Sequence, residues 1–259
     1  MPPKAKLISP DELVMRTFAP AKKGDIALPY RMFVPRDYQQ TRRYPVLVVL
    51  HGAGERGTDN EKHLGNGVLA FCEAGLQKRH PTFVVYPQCP EGAQWVETPW
   101  NAGSYDQAKV PLSQPLSAVM GLLGALAAEF TVNVDRILCA GLSIGGYGVW
   151  DFVTRFPERC AGAMPICGGG DPSVAARAKA VPIWAFHGAA DDVVPVRGSR
   201  LMVEALRKAG GPVKYKEFPG ADHHVWERVF ADPAALNWLL TRWHAPAAGQ
   251  SPTGKTAAP

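Results

Sequence analysis

The chain has 259 residues, of which 46% are hydrophobic and 20% charged, and these values favour one globular α/β domain over a disordered or fibrous chain. The net charge of +5 is carried by residues 1–43, where nine Lys and Arg face four Asp and Glu. Because this charge is spread thinly over an N-terminal segment, it indicates no nucleic-acid partner. No apolar run approaches the roughly 18 residues of a membrane-spanning helix, so we expect a soluble chain without a membrane partner.

The ends of the chain differ in composition from its middle. We expect an N-terminal lead-in over residues 1–20, a folded domain over residues 21–244 and a disordered tail over residues 245–259. The tail is rich in Ala, Pro, Gly, Ser and Thr and has no large apolar residue to bury. The chain begins Met-Pro-Pro-Lys-Ala-Lys, without the apolar segment of a signal peptide. This start favours a cytoplasmic protein, with a secreted or periplasmic location left open if the chain is a processed form.

Between residues 13 and 243, short apolar runs alternate with longer amphipathic segments. Eight runs predict strands: Leu13–Phe18, Tyr30–Val34, Val46–Leu50, Phe83–Tyr86, Ile137–Ala140, Gly162–Cys167, Pro182–His187 and Val213–Phe218. Apolar residues at three- and four-residue spacing predict helices over residues 115–130, after residue 143, over residues 197–208 and from residue 232. This alternation predicts an α/β fold with a mostly parallel eight-stranded sheet, helices on both faces and no large lid domain. Functional side chains are expected beyond the carboxyl ends of the strands.

The first such side chain is a serine in the segment GLSIGG, which follows the strand ILCA and precedes a helical pattern. This is a G-x-S-x-G motif in a strand–turn–helix context, which is typical of a nucleophile elbow. The glycines two residues on either side of Ser143 leave room for a very tight turn. We therefore predict that Ser143 is a strained, exposed nucleophile.

An acid and a base follow the next strands along the chain. Asp191 comes after the strand PIWAF and His223 after the strand VKYKEF, in the order that a Ser-Asp-His arrangement of this fold requires. A serine hydroxyl needs a histidine to accept its proton, and a carboxylate orients that histidine. The neighbours Asp192 and His224 remain alternatives. We prefer Asp191 and His223 because Asp192 leads towards solvent and His224 stands where a helix begins.

The predicted oxyanion hole consists of two backbone amides. Ile144 follows the serine and supplies the first amide. The second comes from the segment HGAGERG after the strand VLVVL, with Ala53 preferred over Gly54. His51 is expected to be a structural hydrogen-bonding residue. Glu55 and Arg56 either orient polar groups of a substrate or pair with each other.

The stretch over residues 87–110 is the longest segment without clear periodicity, and such segments are often binding loops. It contains Trp95 and Trp100. We predict that these two rings and Gly54 contact substrate, with attachment of the loop to the body as the equal alternative for both tryptophans. Only 14 residues separate Cys167 from Pro182, which leaves no room for a lid domain there.

Five segments carry a resemblance to a known family: LHGAGERGTDN, QWVETPW, GLSIGGYGVWD, HGAADDVVPV and GADHHVWERVF. Together they resemble single-domain α/β-hydrolase esterases close to the feruloyl, acetyl-xylan and polyhydroxybutyrate depolymerase-type esterases, and also the catalytic domain of prolyl oligopeptidases. The resemblance covers about residues 30–243 and implies the triad Ser143, Asp191 and His223. Dienelactone hydrolases share this fold but use a cysteine nucleophile, so the serine at position 143 argues against that branch.

The resulting hypothesis is a serine carboxylesterase that acts on short-chain or aromatic acyl esters, including esters linked to carbohydrate. Two alternatives stay open: a peptidase of the prolyl oligopeptidase type, and a binding protein without catalysis on the same fold. Cysteine spacing, adjacent histidines and the Gly168-Gly169-Gly170 run match no zinc, other metal or phosphate motif. We therefore predict no cofactor and no metal. The sequence does not predict the oligomeric state or the natural substrate.

Overall fold

The computed structural model of the protein describes residues 8–20 and 24–242. The predicted disordered tail over residues 245–259 lies outside the described residues. Residues 14–18, in the predicted lead-in, form an edge strand of the main sheet, and Ile8 and Leu13 are buried beneath it. The division of the chain into these three segments stays a prediction.

Within the described ranges, one sheet of eight strands organises the molecule. The strands are β1 (Val14–Phe18), β2 (Leu28–Phe33), β3 (Tyr44–Leu50), β4 (Phe83–Pro87), β5 (Val132–Leu142), β6 (Cys160–Ile166), β7 (Ile183–Gly188) and β8 (Val213–Phe218). Their spatial order is β1-β2-β4-β3-β5-β6-β7-β8. The pairs β1–β2 and β2–β4 are antiparallel, and the other neighbouring pairs are parallel. This confirms the predicted α/β-hydrolase fold with a mostly parallel sheet and without a large extra domain among the described residues.

Six α-helices of the described chain connect or flank the strands. They are α1 (Ala74–Arg79), α2 (Gln114–Glu129), α3 (Ile144–Arg155), α4 (Arg197–Lys208), α5 (Trp226–Phe230) and α6 (Pro233–Thr241). Side-chain caps start two of the predicted helices: the Ser113 hydroxyl accepts a hydrogen bond from the backbone N–H of Leu116, and the Asp232 carboxylate accepts one from that of Ala234. These bonds satisfy amides that have no acceptor inside the helix.

The central strands are continuously apolar because helices cover both faces of the sheet. In β3, Val46, Val48 and Leu50 pack into the core on one face. Leu47 and Val49 pack into the core on the other. Each such side chain contributes about 1.5–3 kcal/mol by leaving water. This two-sided burial makes the sheet a rigid base for the loops at the carboxyl ends of its strands.

Local hydrogen bonds explain the elements that periodicity did not predict. Helix α1 has only six residues, too few for an apolar stripe, and begins because the carboxylate of Glu73 accepts hydrogen bonds from the backbone N–H groups of Gly75 and Leu76. Strand β5 starts at Val132, five residues before the predicted Ile137, across an irregularity in its register with β3.

No helix of the described residues is long and apolar enough to cross a membrane.

Candidate active site

The turn between β5 and α3 holds Ser143 in a conformation that side chains rarely adopt, with φ of 56° and ψ of −121°. The flanking glycines are required sterically, because a Cβ at Gly145 would collide with the backbone carbonyl of Leu50 and one at Gly141 with the carbonyl of Gly145. A hydrogen bond of 2.9 Å from the Ser143 N–H to the Ile166 carbonyl joins the turn to β6. The strain at Ser143 is therefore maintained by close backbone packing on both sides.

Folding brings Ser143, His223 and Asp191 into one line of hydrogen bonds. The Ser143 Oγ lies 2.9 Å from the Nε2 of His223, and the Nδ1 of His223 lies 2.7 Å from the Oδ2 of Asp191. An ionised carboxylate only accepts hydrogen bonds, so Nδ1 carries the ring proton and Nε2 presents a lone pair to the serine hydroxyl. The arrangement can remove the serine proton and stabilise the imidazolium that results.

Backbone contacts between the loops after β7 and β8 create this alignment. The N–H of Ala190 donates to the carbonyl of Ala221 over 2.9 Å. Gly188 packs so closely on the backbone of Asp222 that any side chain there would collide with it. The acid and the base are thereby held side by side, although 32 residues separate them.

The two alternatives left open by the sequence lie outside this line. Asp192 is exposed. His224 is also exposed, and its nearest acidic partner is Asp222 at 3.9 Å. Trp226 instead packs its ring edge against His223, with centroids 5.0 Å apart and ring planes at 89°. This contact restricts the imidazole to the orientation that faces Ser143.

Three hydrogen bonds and a nearby imidazole nitrogen surround the buried carboxylate of Asp191. Its Oδ1 accepts from the backbone N–H groups of Val193 at 3.0 Å and Val194 at 2.8 Å. Its Oδ2 accepts from His223 and also lies 3.1 Å from the Nε2 of His187. Burial raises the pKa of Asp191, but these donors outweigh it and hold the pKa well below its usual value. The group is therefore ionised at neutral pH.

The predicted oxyanion amides stand at the amino ends of two helical turns. Ile144 is the first residue of α3, and Ala53 is the first residue of a short 3₁₀ turn over residues 53–55, so neither N–H has an acceptor within its own helix. Ala53 and Gly54 line the cleft beside Ser143. The role of the Ile144 and Ala53 amides as an oxyanion hole remains a proposal.

Glu55 and Arg56 support the oxyanion loop through backbone atoms instead of pairing with each other. The Glu55 carboxylate accepts a hydrogen bond from the N–H of Gly52 at 2.8 Å. The Arg56 guanidinium donates to the carbonyl of Ala53 at 2.9 Å. These two bonds bracket the residue whose amide is predicted to face the substrate.

The cleft at the serine has a volume of about 280 Å³. It is lined by Gly52, Ala53, Gly54, Glu55, Asn66, Trp100, Leu142, Ser143, Val193, His223, His224 and Trp226. Asn66 was not predicted by sequence, because a polar residue in a loop has no periodicity that would distinguish it.

The structure contradicts the prediction that Trp95 contacts substrate. This side chain has 0% exposure, and its indole N–H donates to the carbonyl of His51 at 3.0 Å. Trp95 therefore anchors the loop over residues 87–110 to the body. Trp100 is 37% exposed and lines the cleft, so its predicted contact with substrate stands as a proposal.

Further buried hydrogen bonds attach the same loop to α3. The Tyr105 hydroxyl donates to the buried carboxylate of Asp151 at 2.6 Å, and the Tyr147 hydroxyl donates to the carbonyl of Trp100 at 2.8 Å. The segment without periodicity is thus an ordered wall of the cleft.

A buried histidine, His51, supports the loop that carries Ala53, and the ring centroid of a second, His63, lies 6.1 Å from that of His51. The Nδ1–H of His51 donates to the carbonyl of Gly52, and its Nε2 accepts from the N–H of Cys89 at 2.9 Å. His63 is also buried, and neither of its ring nitrogens has a hydrogen-bonding partner. Burial lowers the pKa of His51 to about 4 and that of His63 to about 3. His51 is therefore a neutral structural residue, as its position in the turn suggested.

One group of side chains within the described chain has the spacing of metal ligands: Cys167, Asp191 and His223, whose donor atoms lie within 4.8 Å of one another. Asp191 and His223 are already hydrogen-bonded to each other. Burial raises the pKa of the Cys167 thiol well above its usual value, so the thiolate that binds metals is disfavoured. These residues fit hydrogen bonding better than metal coordination.

Residues 106–233 match the model of the dienelactone hydrolase family. This segment includes Ser143, Asp191 and His223. The match runs counter to the prediction that the serine at position 143 argues against the dienelactone hydrolase branch.

Three relatives extend the comparison. The crystal structure of a thermostable esterase is 39% identical to this chain and has a TM-score of 0.80. The match covers 89% of this chain and 63% of the esterase chain. Carboxylesterase SOBER1 of Arabidopsis thaliana is 26% identical over 201 residues, 69% of this chain and 83% of that protein. An uncharacterized secreted protein of Arthroderma benhamiae is 27% identical over 218 residues, 71% of this chain. The match spans only 22% of the Arthroderma protein. The resemblance to α/β-hydrolase esterases is confirmed by these matches.

The two tryptophans of the loop are predicted to respond differently to truncation. Trp95→Ala leaves a cavity and an unpaired carbonyl, and we expect it to lower the free energy of unfolding by about 3–5 kcal/mol. Trp100→Ala removes a partly exposed ring, and we expect a loss under about 1 kcal/mol. Urea unfolding of both variants measures the difference. Equal losses would contradict the separate roles of anchor and wall.

The buried histidines predict a loss of stability in acid. Their pKa is lower in the folded than in the unfolded chain, so the unfolded chain binds more protons between about pH 6.5 and the folded values. As the pH is lowered through this interval, the free energy of unfolding should therefore decrease, by at most about 1.4 kcal/mol per pH unit for each histidine.

The variant His63→Leu should show a shallower decline than the wild-type chain over the same interval. His224→Leu, which removes an exposed histidine, is the control and should keep the wild-type slope. Unfolding measured from pH 7 to pH 4 provides the test, and an unchanged slope in His63→Leu would show that His63 is not held neutral.

Proposed function

We propose that the protein is a serine carboxylic ester hydrolase. The observation that carries this proposal is the hydrogen-bonded line from the Ser143 Oγ through His223 to Asp191, with distances of 2.9 and 2.7 Å. The dienelactone hydrolase family match and the carboxylesterase name of the Arabidopsis relative support the same class of reaction. The chain spans 63% of the thermostable esterase and 22% of the Arthroderma protein.

In the proposed reaction, the Ser143 Oγ attacks the ester carbonyl carbon while the Nε2 of His223 takes the hydroxyl proton. The carbonyl oxygen becomes an anion, which the N–H groups of Ile144 and Ala53 stabilise. The imidazolium then gives its proton to the leaving alcohol, and the C–O bond breaks to leave an acyl-enzyme. Water, deprotonated by the same imidazole, releases the acid and restores the serine. Asp191 remains ionised throughout and stabilises the positive charge on His223.

The size and lining of the cleft favour small acyl groups. Its volume of about 280 Å³ lies at the lower end of ligand pockets in general, and Trp100, Val193 and Trp226 form apolar walls. A flat aromatic or short aliphatic acyl group fits this space better than a long chain. We propose short-chain and aromatic esters as substrates, including feruloyl or acetyl esters on carbohydrate.

The nucleophile assignment predicts the effect of one substitution. Ser143→Ala should reduce the hydrolysis of 4-nitrophenyl acetate by about 10⁴-fold or more, because no other group can form the acyl-enzyme. It should also abolish covalent labelling by a fluorophosphonate. The variant Ser117→Ala, which changes an exposed serine on α2, is the control and should keep both activities. If the wild-type chain takes no label, the binding-protein alternative is favoured instead.

The acyl preference follows from the volume of the cleft. Across 4-nitrophenyl esters of increasing chain length, kcat/KM should be highest for acyl groups of about two to four carbons, because longer chains cannot be buried there. Steady-state kinetics of this series and of methyl ferulate measures the preference. A maximum at about ten carbons or more would contradict the proposal for short acyl groups. Hydrolysis of a proline-containing amide substrate instead of these esters would favour the peptidase alternative.

A further inference from the structure

The acid of the triad has a second histidine partner. His187, the fifth residue of β7, is fully buried, and its Nε2 lies 3.1 Å from the Oδ2 of Asp191. The same oxygen accepts the Nδ1–H of His223 at 2.7 Å. One carboxylate oxygen therefore serves two imidazoles, of which only one touches the nucleophile.

The contacts of His187 determine how its ring is used. The Nε2 faces two acceptors, Asp191 Oδ2 and the carbonyl of Val194 at 3.0 Å, so this nitrogen carries a hydrogen. The Nδ1 lies 2.8 Å from the hydroxyl of Ser199, at the start of α4. That hydroxyl in turn lies 3.1 Å from the carbonyl of Gly168, just after β6. The chain of contacts thus continues past the triad into the body of the protein.

We propose that His187 is a positioning residue of the triad, which holds the Asp191 carboxylate at the angle that His223 requires. The inference rests on the proposed serine hydrolase function. The backbone amides of Val193 and Val194 hold only the Oδ1 of Asp191. Without His187, the Oδ2 keeps a single donor, His223, and that donor moves during each turnover. A fixed donor on Oδ2 keeps the carboxylate plane in place while His223 gains and loses its charge.

The contact also moderates the carboxylate charge that His223 experiences. A second donor on Oδ2 withdraws negative charge from that oxygen, which weakens its attraction for an imidazolium. The other titratable groups around this site are the Cys167 thiol just after β6, Tyr147 on α3 and Glu217 on β8. Glu217 is the residue of β8 that pairs with His187 of β7. Glu217 is held by Arg200 at 2.6 Å and by the Tyr215 hydroxyl at 2.8 Å. These groups stay in place when only the N–H donor of His187 is changed. The effect of His187 on the Asp191 carboxylate can therefore be measured apart from theirs.

The test compares His187→Leu with His187→Gln. Leucine removes the donor, whereas the glutamine amide offers an N–H near the position of Nε2. We expect His187→Leu to lower kcat about 10- to 100-fold with KM unchanged, because a misaligned triad slows chemistry more than binding. The acid limb of its pH profile should move to higher pH, since His223 then meets an unshared carboxylate. His187→Gln should recover most of kcat and the wild-type profile.

Ser199→Ala provides a second variant in case the buried substitutions do not fold. It leaves Asp191 and His187 in place but removes the partner of Nδ1, and we expect a smaller loss of kcat with a shift of the acid limb in the same direction. Equal losses in the leucine and glutamine variants, with unmoved pH profiles and lowered thermal stability, would show a merely structural role and overturn the proposal. Wild-type kinetics in all three folded variants would overturn it as well.

An observable that does not need turnover separates this proposal from the proposed function. The short hydrogen bond from His223 Nδ1 to Asp191 should produce a low-field imidazole proton in the NMR spectrum of histidine-labelled protein. That resonance should shift in His187→Leu and return towards its wild-type position in His187→Gln. If the resonance shifts in His187→Leu but the wild-type protein hydrolyses no ester, the contact between His187 and the triad stands and the esterase function is wrong. An unmoved resonance in an active esterase would reject the coupling.

Discussion

The structure depends on keeping one carboxylate, Asp191, ionised inside the protein. Removing such a charge from water costs several kcal/mol unless hydrogen bonds replace the lost hydration. Two backbone amides and the His223 imidazole supply those bonds here, and the His187 imidazole lies close to the same carboxylate. The pKa of the acid stays below its usual value as a result. The stability of the fold and the proposed chemistry therefore share the same four contacts.

Those contacts exist because three parallel strands end together. The loops after β6, β7 and β8 are joined by backbone hydrogen bonds, by the close approach of Gly188 to Asp222, and by the Cys167 thiol on the carbonyl of His223 at 3.3 Å. The strands are buried on both faces, so their ends cannot shift independently. A rigid sheet with short loops thus positions the triad.

Hydrophobic periodicity and the G-x-S-x-G motif predicted the elements whose formation depends on residues close together in the sequence. The alternation of apolar runs and amphipathic segments predicted the eight strands and the larger helices, because two-sided burial requires continuous apolar strands. The G-x-S-x-G motif marked the tight turn, because only glycine fits beside Leu50 and Gly145. Helix α1 was not predicted, because one capping carboxylate, not periodicity, begins it.

Residues whose role depends on distant partners could not be assigned in this way. Trp95 and Trp100 lie in one loop with similar surroundings in sequence, yet one is fully buried under His51 and the other faces the cleft. His187 reads as an ordinary strand residue beside a glycine, and its contact with Asp191 exists only because the chain turns back after β7. The packing between elements, which the sequence shows only indirectly, decides both cases.

The match to a dienelactone hydrolase model, despite a serine at the elbow, has a physical explanation. The elbow constrains the backbone through its glycines, and a serine or cysteine side chain at position 143 meets the same steric limits. The two nucleophiles differ in what they require from their surroundings, since a thiol loses its proton much more readily than a hydroxyl. A serine depends on a histidine backed by a fully ionised acid. The donors around Asp191 keep that acid ionised, as the proposed serine nucleophile requires.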